Sequence, residues 1–214
     1  MLSVNFGRGI QMEYDTLILK CSESIMDLFT PELQKGFYIM SVEGRTLFEF
    51  LTEDCCLSRS YISEKIKTIF INGGPVDDIY HTCIREDEEC ALSGAMPGLV
   101  GAMMRIGSPY APMRESITAK QEQVADSGRE IRIMLKLFNV ILSDTGRDFL
   151  YQGIILNKQR LYDFFIKNNH KINNCSMEIL FNSMPIENVL LNAFVQAMKE
   201  LVFLKIETVH ENKS

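Results

Sequence analysis

No run of about 20 apolar residues, the length a spanning helix requires, occurs in this chain. Its longest apolar stretch, Cys90 to Met104, is shorter and carries three glycines and a proline, so no membrane span is expected. Residues Met1 to Arg8 lack a charged start followed by a sustained apolar stretch, so no secretory signal is expected and a cytoplasmic location is. Cys-x-x-Cys pairs are missing, and His81, His170 and His210 do not cluster with the cysteines at ligand spacing, so no metal site is expected. Cys21, Cys55, Cys56, Cys83, Cys90 and Cys175 read instead as reduced thiols used as small hydrophobes. The Walker pattern G-x-x-x-x-G-K-[ST], the dinucleotide fingerprint G-x-G-x-x-G and the nucleophile elbow G-x-S-x-G are all absent. Gly7-Arg8-Gly9 lacks the third glycine, and Gly101 to Gly107-Ser108 has the wrong spacing and no lysine. No cofactor is expected.

Positive charge is scarce in the first half. Residues 1–107 hold 9 Lys and Arg against 16 Asp and Glu, whereas 108–214 hold 13 against 12. Phosphate backbones are bound by clustered cations, so nucleic acid is not expected as a partner. The run Glu86-Asp87-Glu88-Glu89 lacks the alternating ligand positions of a calcium loop and reads as a solvated turn, as does Asp77-Asp78. His81 and Cys83 lie two residues apart, a spacing that an extended segment places on one side without implying catalysis.

Of 214 residues, 46% are hydrophobic and 23% charged, enough apolar material for one large domain or two small ones. Thr30-Pro31 restarts a helix after the short one at Ser22 to Phe29. Gly36 to Val42 reads as a strand, Thr46 to Leu51 as a capped helical turn, and Ser60 to Lys65 as a short helix. Thr68 to Ile71 reads as a strand stopped by the turn Asn72-Gly73-Gly74-Pro75. Cys90-Ala91-Leu92 reads as the next strand. Gly107-Ser108-Pro109-Tyr110-Ala111-Pro112 punctuates the chain, which suggests parts at 1–107 and 129–214 joined by a connecting segment at 108–128.

Beyond it, Ile131, Ile133, Leu135 and Leu137 alternate as in a half-buried strand. A helix with Phe138, Ile141 and Leu142 is expected to be interrupted near Gly146. Gly153 to Leu156 reads as a strand, and Asn157 as the cap of a helix carrying Leu161, Phe164 and Phe165. Ser183-Met184-Pro185 is expected to open a long final amphipathic helix to about Leu204, where Ile186, Val189, Leu190, Ala193, Phe194, Ala197 and Leu201 recur at helical spacing. No long internal repeat is evident. The fold class is α+β: a small mixed sheet with packed helices, then a second α+β part.

Ile71-Asn72-Gly73-Gly74-Pro75-Val76, the acidic turn Asp87-Glu88-Glu89, the strand Cys90 to Ser93, and Pro97-Gly98 together resemble the C-terminal half of β-grasp sulfur carriers. These are the small subunit of molybdopterin synthase and its thiamine-pathway relative, with a strand ending V-N-G-x-x-V, a D-G-D-E-V turn, an apolar strand and a terminal Gly-Gly. Thr46 to Leu51 is similar to their early helix. The resemblance spans roughly residues 36–98 and implies a ubiquitin-like fold there. It does not extend to carrier chemistry, because Gly98 is internal and the chain ends Glu211-Asn212-Lys213-Ser214. Leu57-Ser58-Arg59 with Asn72-Gly73 also resembles ribosomal-protein-type RNA-binding modules. Their spacing differs by about two residues and the surroundings here are acidic, so an RNA-binding module is an alternative only.

With every catalytic template failing, the chain reads as a non-catalytic binding or assembly protein. An enzyme or small-molecule-binding site assembled from distant residues is the alternative. The candidate contact segment is Ala95, Met96, Pro97, Gly98, Leu99, Val100, Met103, Met104 and Arg105. Pro97 would sit in the first turn of a short helix, with Gly94, Gly98 and Gly101 permitting close backbone approach. Methionine adapts to varied partner shapes, and a second copy of the chain is the favoured partner.

Overall fold

A computed structural model describes residues 14–114, 128–173, 178–187 and 191–208. The N-terminal eight residues, most of the connecting segment, residues 188–190 of the expected final helix, Cys175 and His210 lie outside the described residues. The fold is α+β. In chain order it comprises β1 (Asp15–Cys21), α1 (Glu23–Asp27), α2 (Thr30–Lys35), β2 (Phe37–Val42), α3 (Leu47–Glu49), α4 (Arg59–Lys65), β3 (Thr68–Ile71), β4 (Gly74–Pro75), β5 (Glu89–Ser93) and α5 (Gly98–Met104). There follow β6 (Glu130–Leu137), α6 (Asn139–Gln152), β7 (Ile154–Asn157), α7 (Lys158–Asn173), β8 (Glu178–Phe181), β9 (Met184–Ile186), α8 (Leu191–Ala197) and β10 (Leu201–Thr208). No described helix is long and apolar enough to cross a membrane.

Local chemistry accounts for the starts of three helices. Thr46 and Glu49 form a reciprocal capping box at the start of α3. Ser58 caps α4 by accepting from the Tyr61 amide at 3.1 Å, and the Asn157 side chain accepts from the Gln159 amide at 2.8 Å at the start of α7. β1, β6 and β10 bury alternate side chains along most of their length.

Two expectations are corrected. Helix α6 continues through Gly146, where a Cβ would stand 3.1 Å from Leu33 Cδ1 and 3.3 Å from Leu142 Cδ1. The long final helix is replaced by β9, the short α8 and β10. Pro185 lies in the edge strand β9 opposite Leu180, a place where a missing N–H is tolerated. Val202, Leu204 and Ile206 are buried at a period of two. Apolar residues are so dense from Ile186 onward that this period was hidden beneath an apparent helical one.

The chain divides into two compact units, and the division differs from the one expected at 107–128. The first holds described residues 39–141; the second holds 14–38 with 142–208. β6 therefore belongs with the residues before the Gly-Pro punctuation, because it pairs parallel to β5. The strand order in the first unit is β4-β3-β5-β6, with residues 39–42 of β2 beside β6. Its core is built from Leu47, Phe50, Ile69, Leu92, Ile133 and Leu135, all fully buried. In the second unit the order is β9-β8-β1-β10-β7, with Leu17, Leu19, Phe29, Phe37, Leu161 and Leu204 fully buried.

These two sheets repeat one plan, although the sequence shows no long repeat. In each, a short edge strand pairs antiparallel with its neighbour, which pairs antiparallel with a strand that is parallel to the next. Asn72 and Asn182 begin the turns of the two hairpins in left-handed backbone, at φ 50° and 45°. Phe70 faces Pro75 in one, and Leu180 faces Pro185 in the other. The repeat is non-obvious in sequence because its strands come in different chain order: the place of β5 is taken by β1, and that of β6 by β10.

Candidate functional site

Pro97, expected inside the first turn of α5, stands one position earlier, in extended backbone at φ −74° and ψ 161°. The helix begins at Gly98, whose φ of +78° suits only glycine without strain. It ends at Arg105, again extended. Gly101 and Gly94 serve the protein's own packing, whereas nothing lies within 4 Å of a Cβ built on Gly98. A Cβ on Gly101 would lie 2.3 Å from the Met96 carbonyl oxygen, and one on Gly94 would lie 2.5 Å from Val140 Cγ1. The close backbone approach expected of them is internal.

Beneath α5 lies Arg114, which is 1% exposed. Its Nε donates to the Met103 carbonyl at 2.5 Å, and its Nη2 donates to Asp77 Oδ1 at 2.7 Å and to the Arg105 carbonyl at 3.3 Å. The Ile106 amide donates to the Lys67 carbonyl at 2.9 Å. A buried guanidinium is stable only when paired and hydrogen-bonded. Arg114 meets both conditions and uses them to fix the end of α5 to the turn after β4. It was not singled out in the sequence; its position just past Pro112, in a segment otherwise read as a connector, offered no burial signal.

The candidate contact residues divide by exposure. Leu99 is 63% and Val100 66% exposed. Ala95, Pro97, Gly98 and Arg105 are exposed, whereas Met96, Met103 and Met104 are half-buried. Tyr110 and Met113, on the turn packed against α5, are exposed as well.

Beside this helix the first unit carries a groove of about 420 Å³. Ile62, Ile66, Ile79 and Ile106 line its apolar part, with Ile62, Ile66 and Ile79 buried. Phe48 and Tyr80 form a tilted aromatic pair, ring centroids 4.7 Å apart. The Arg59 guanidinium lies over the Phe48 ring at 5.3 Å from its centroid. Lys67 and Arg105 complete the cationic side of the lining, with Asp77 the one acid in it. Arg105 thus belongs to both features. Arg59 and its neighbour Ser58, the pair behind the RNA-binding resemblance, serve here as a groove cation and a helix cap. Apart from Asp77, read in the sequence as part of a solvated turn, the other groove residues went unnoticed because the lining comes from four separate segments, at 48, 59–67, 77–80 and 105–106.

Other sequence candidates fall elsewhere. The His81 imidazole pairs with Asp78, Nδ1 to Oδ2 at 2.7 Å, and that hydrogen bond holds the Asp78 carboxyl below its ordinary range. Cys83 Sγ is 4.0 Å from the His81 carbonyl. The acidic run is a turn, but an ion-paired one rather than merely solvated. Asp87 meets Arg132 at 2.6 Å and Glu89 meets Lys136 at 2.6 Å. Glu88 is buried and accepts from the Arg85 amide at 3.0 Å. Among the described residues no group of three His, Cys, Asp or Glu side chains is placed to hold a metal ion. No protein-family model, curated protein or solved structure matches the chain.

Proposed function

We propose that this chain is a non-catalytic binding or assembly protein whose contact surface is the Ala95–Arg105 segment and whose partner is a second copy of itself. The observation that carries this reading is the pair Leu99 and Val100, largely exposed on a helix whose underside is locked by Arg114. Exposed apolar side chains on a fixed backbone bind with little loss of conformational freedom, and contiguous apolar patches on soluble proteins mark interaction sites. Met113 and Tyr110 extend the patch. Sedimentation velocity tests it: the wild type should be dimeric or larger and Leu99→Asp/Val100→Asp monomeric but folded. A wild type that is monomeric throughout the accessible concentration range sinks the self-association reading.

The reading places the protein in the cytoplasm, in keeping with free thiols at Cys21, Cys55, Cys56, Cys83 and Cys90. It also takes residues 36–98 as a β-grasp-like module. In support, the strand to Ile71, the Asn72-Gly73 turn, the acidic turn and the apolar strand β5 follow one another as the resemblance requires, with β3 and β5 antiparallel. Nucleic acid is not part of the proposed function, and the protein should pass through an RNA column at near-physiological salt.

A further inference from the structure

We infer that the groove between Phe48, Ile62, Ile79 and Ile106 binds a small organic anion: a carboxylate, sulfonate or phosphate carried on a flat apolar body. This goes beyond the contact surface on α5, with which the groove shares Arg105 alone.

Three observations converge. The first is size, since about 420 Å³ falls within the range of small-ligand sites, roughly 300–1,000 Å³. The second is the lining, in which buried isoleucines and the Phe48–Tyr80 pair offer a surface for a ring. Tyr80 is 61% exposed, far more than an aromatic side chain of the core. The third is charge. In a chain of net charge −6, this groove gathers Arg59, Lys67 and Arg105.

The single acid there, Asp77, is held by Arg114 at 2.7 Å. Lys67 Nζ donates to the Ser63 carbonyl at 2.8 Å, a neutral partner. Among the described residues neither Arg59 nor Arg105 has an ion-pair partner. Most arginines elsewhere do: Arg45, Arg129, Arg132, Arg147 and Arg160 are all paired with carboxylates. Two guanidinium groups left open beside an apolar cleft supply the donors that anionic head groups accept from in pairs.

The probe is anilinonaphthalene sulfonate, an aromatic anion, compared with its uncharged relative N-phenylnaphthylamine, both followed by fluorescence titration. Wild type should bind the sulfonate saturably, and added sodium chloride should weaken that binding while leaving the uncharged compound unaffected. Arg59→Gln/Arg105→Gln should weaken the sulfonate about tenfold without changing the uncharged probe. Tyr80→Ala should weaken both. Leu99→Ser/Val100→Ser, which removes the apolar pair of α5 without adding charge, should bind as wild type does, which separates this test from the sedimentation experiment. Salt-independent sulfonate binding, unchanged affinity in a folded arginine variant, or loss of binding in the α5 variant would overturn the assignment. The salt series needs only wild-type protein, so it holds even if a variant fails to fold.

Discussion

Asn72 and Asn182 hold equivalent positions in the two units and make the same bonds. The Asn72 amide donates to the Glu89 carbonyl at 2.9 Å, while its Oδ1 accepts from the Glu89 amide at 2.9 Å. The Asn182 amide donates to the Thr16 carbonyl at 2.9 Å, and its Oδ1 accepts from the Thr16 amide at 2.8 Å. The Nδ2 of each reaches a buried carboxylate, Glu88 at 3.4 Å and Asp15 at 2.9 Å. Each carboxylate also takes a backbone amide, from Arg85 at 3.0 Å and from Lys199 at 2.7 Å. One side chain thus ends a hairpin, extends the ladder to the next strand and anchors a buried charge.

Replacing either asparagine by alanine should therefore cost about 2–4 kcal/mol, from lost hydrogen bonds and left-handed strain together. Asn72→Gly keeps the backbone freedom and loses only the side-chain bonds, so it should be less damaging than Asn72→Ala. Urea unfolding of the three variants checks the ranking. Equal stability of Asn72→Gly and Asn72→Ala would show that φ contributes nothing.

The glycines of the α5 segment should differ sharply. Gly101→Ala drives a methyl into the Met96 backbone at 2.3 Å, so something must move, and a loss of about 2–3 kcal/mol is expected. Gly98→Ala meets open space and suffers only from its φ, about 1 kcal/mol. Thermal melts should rank Gly101→Ala below Gly98→Ala, and the reverse order would contradict the described packing.

Thr68 offers a stabilising change. It is fully buried in β3, and among the described residues its hydroxyl has no hydrogen-bond partner. Thr68→Val keeps shape and β-branching while removing an unsatisfied polar atom, so stability should rise by about 1 kcal/mol. Chemical denaturation of this single variant is sufficient, and a loss of stability would mean that the hydroxyl is in fact used.

Burial pushes the Cys55 and Cys90 thiols above their ordinary value of 9.0. Because the folded protein holds these protons more tightly than the unfolded chain, their contribution is complete below about pH 9 and lost as pH rises beyond it. Stability should fall on the alkaline side, and Cys55→Ala/Cys90→Ala should flatten that fall. Iodoacetamide at neutral pH should modify exposed Cys56 first, with Cys21, Cys55 and Cys90 reacting only after unfolding. Peptide mapping distinguishes the two classes.

Elements set by local chemistry were legible in the sequence. The Thr46–Glu49 box, the Asn157 cap, the alternation of β6 and the Asn72-Gly73 turn all show as short patterns. The repeated plan was not, although Ile71-Asn72-Gly73-Gly74-Pro75-Val76 and Phe181-Asn182-Ser183-Met184-Pro185-Ile186 share Asn, Pro and flanking apolar residues at one spacing. The strand Asn182 pairs with lies near the other end of the chain, and no local pattern reports such a pairing. Leu99 and Val100 were legible as apolar but not as exposed, because exposure depends on what else covers α5. The groove and Arg114 depend wholly on segments meeting in space.

The position of β1 between β8 and β10 has a consequence for biosynthesis. Its seven residues, Asp15–Cys21, are made long before either neighbour, so they leave the ribosome with both edges open. Every residue of the first unit's sheet can be in place while the second still waits for Leu201–Thr208. Synthesis from the N-terminus favours folding unit by unit, and here it leaves an early apolar strand unpartnered through most of translation. That interval is when aggregation is most dangerous and when a chaperone has most to hold.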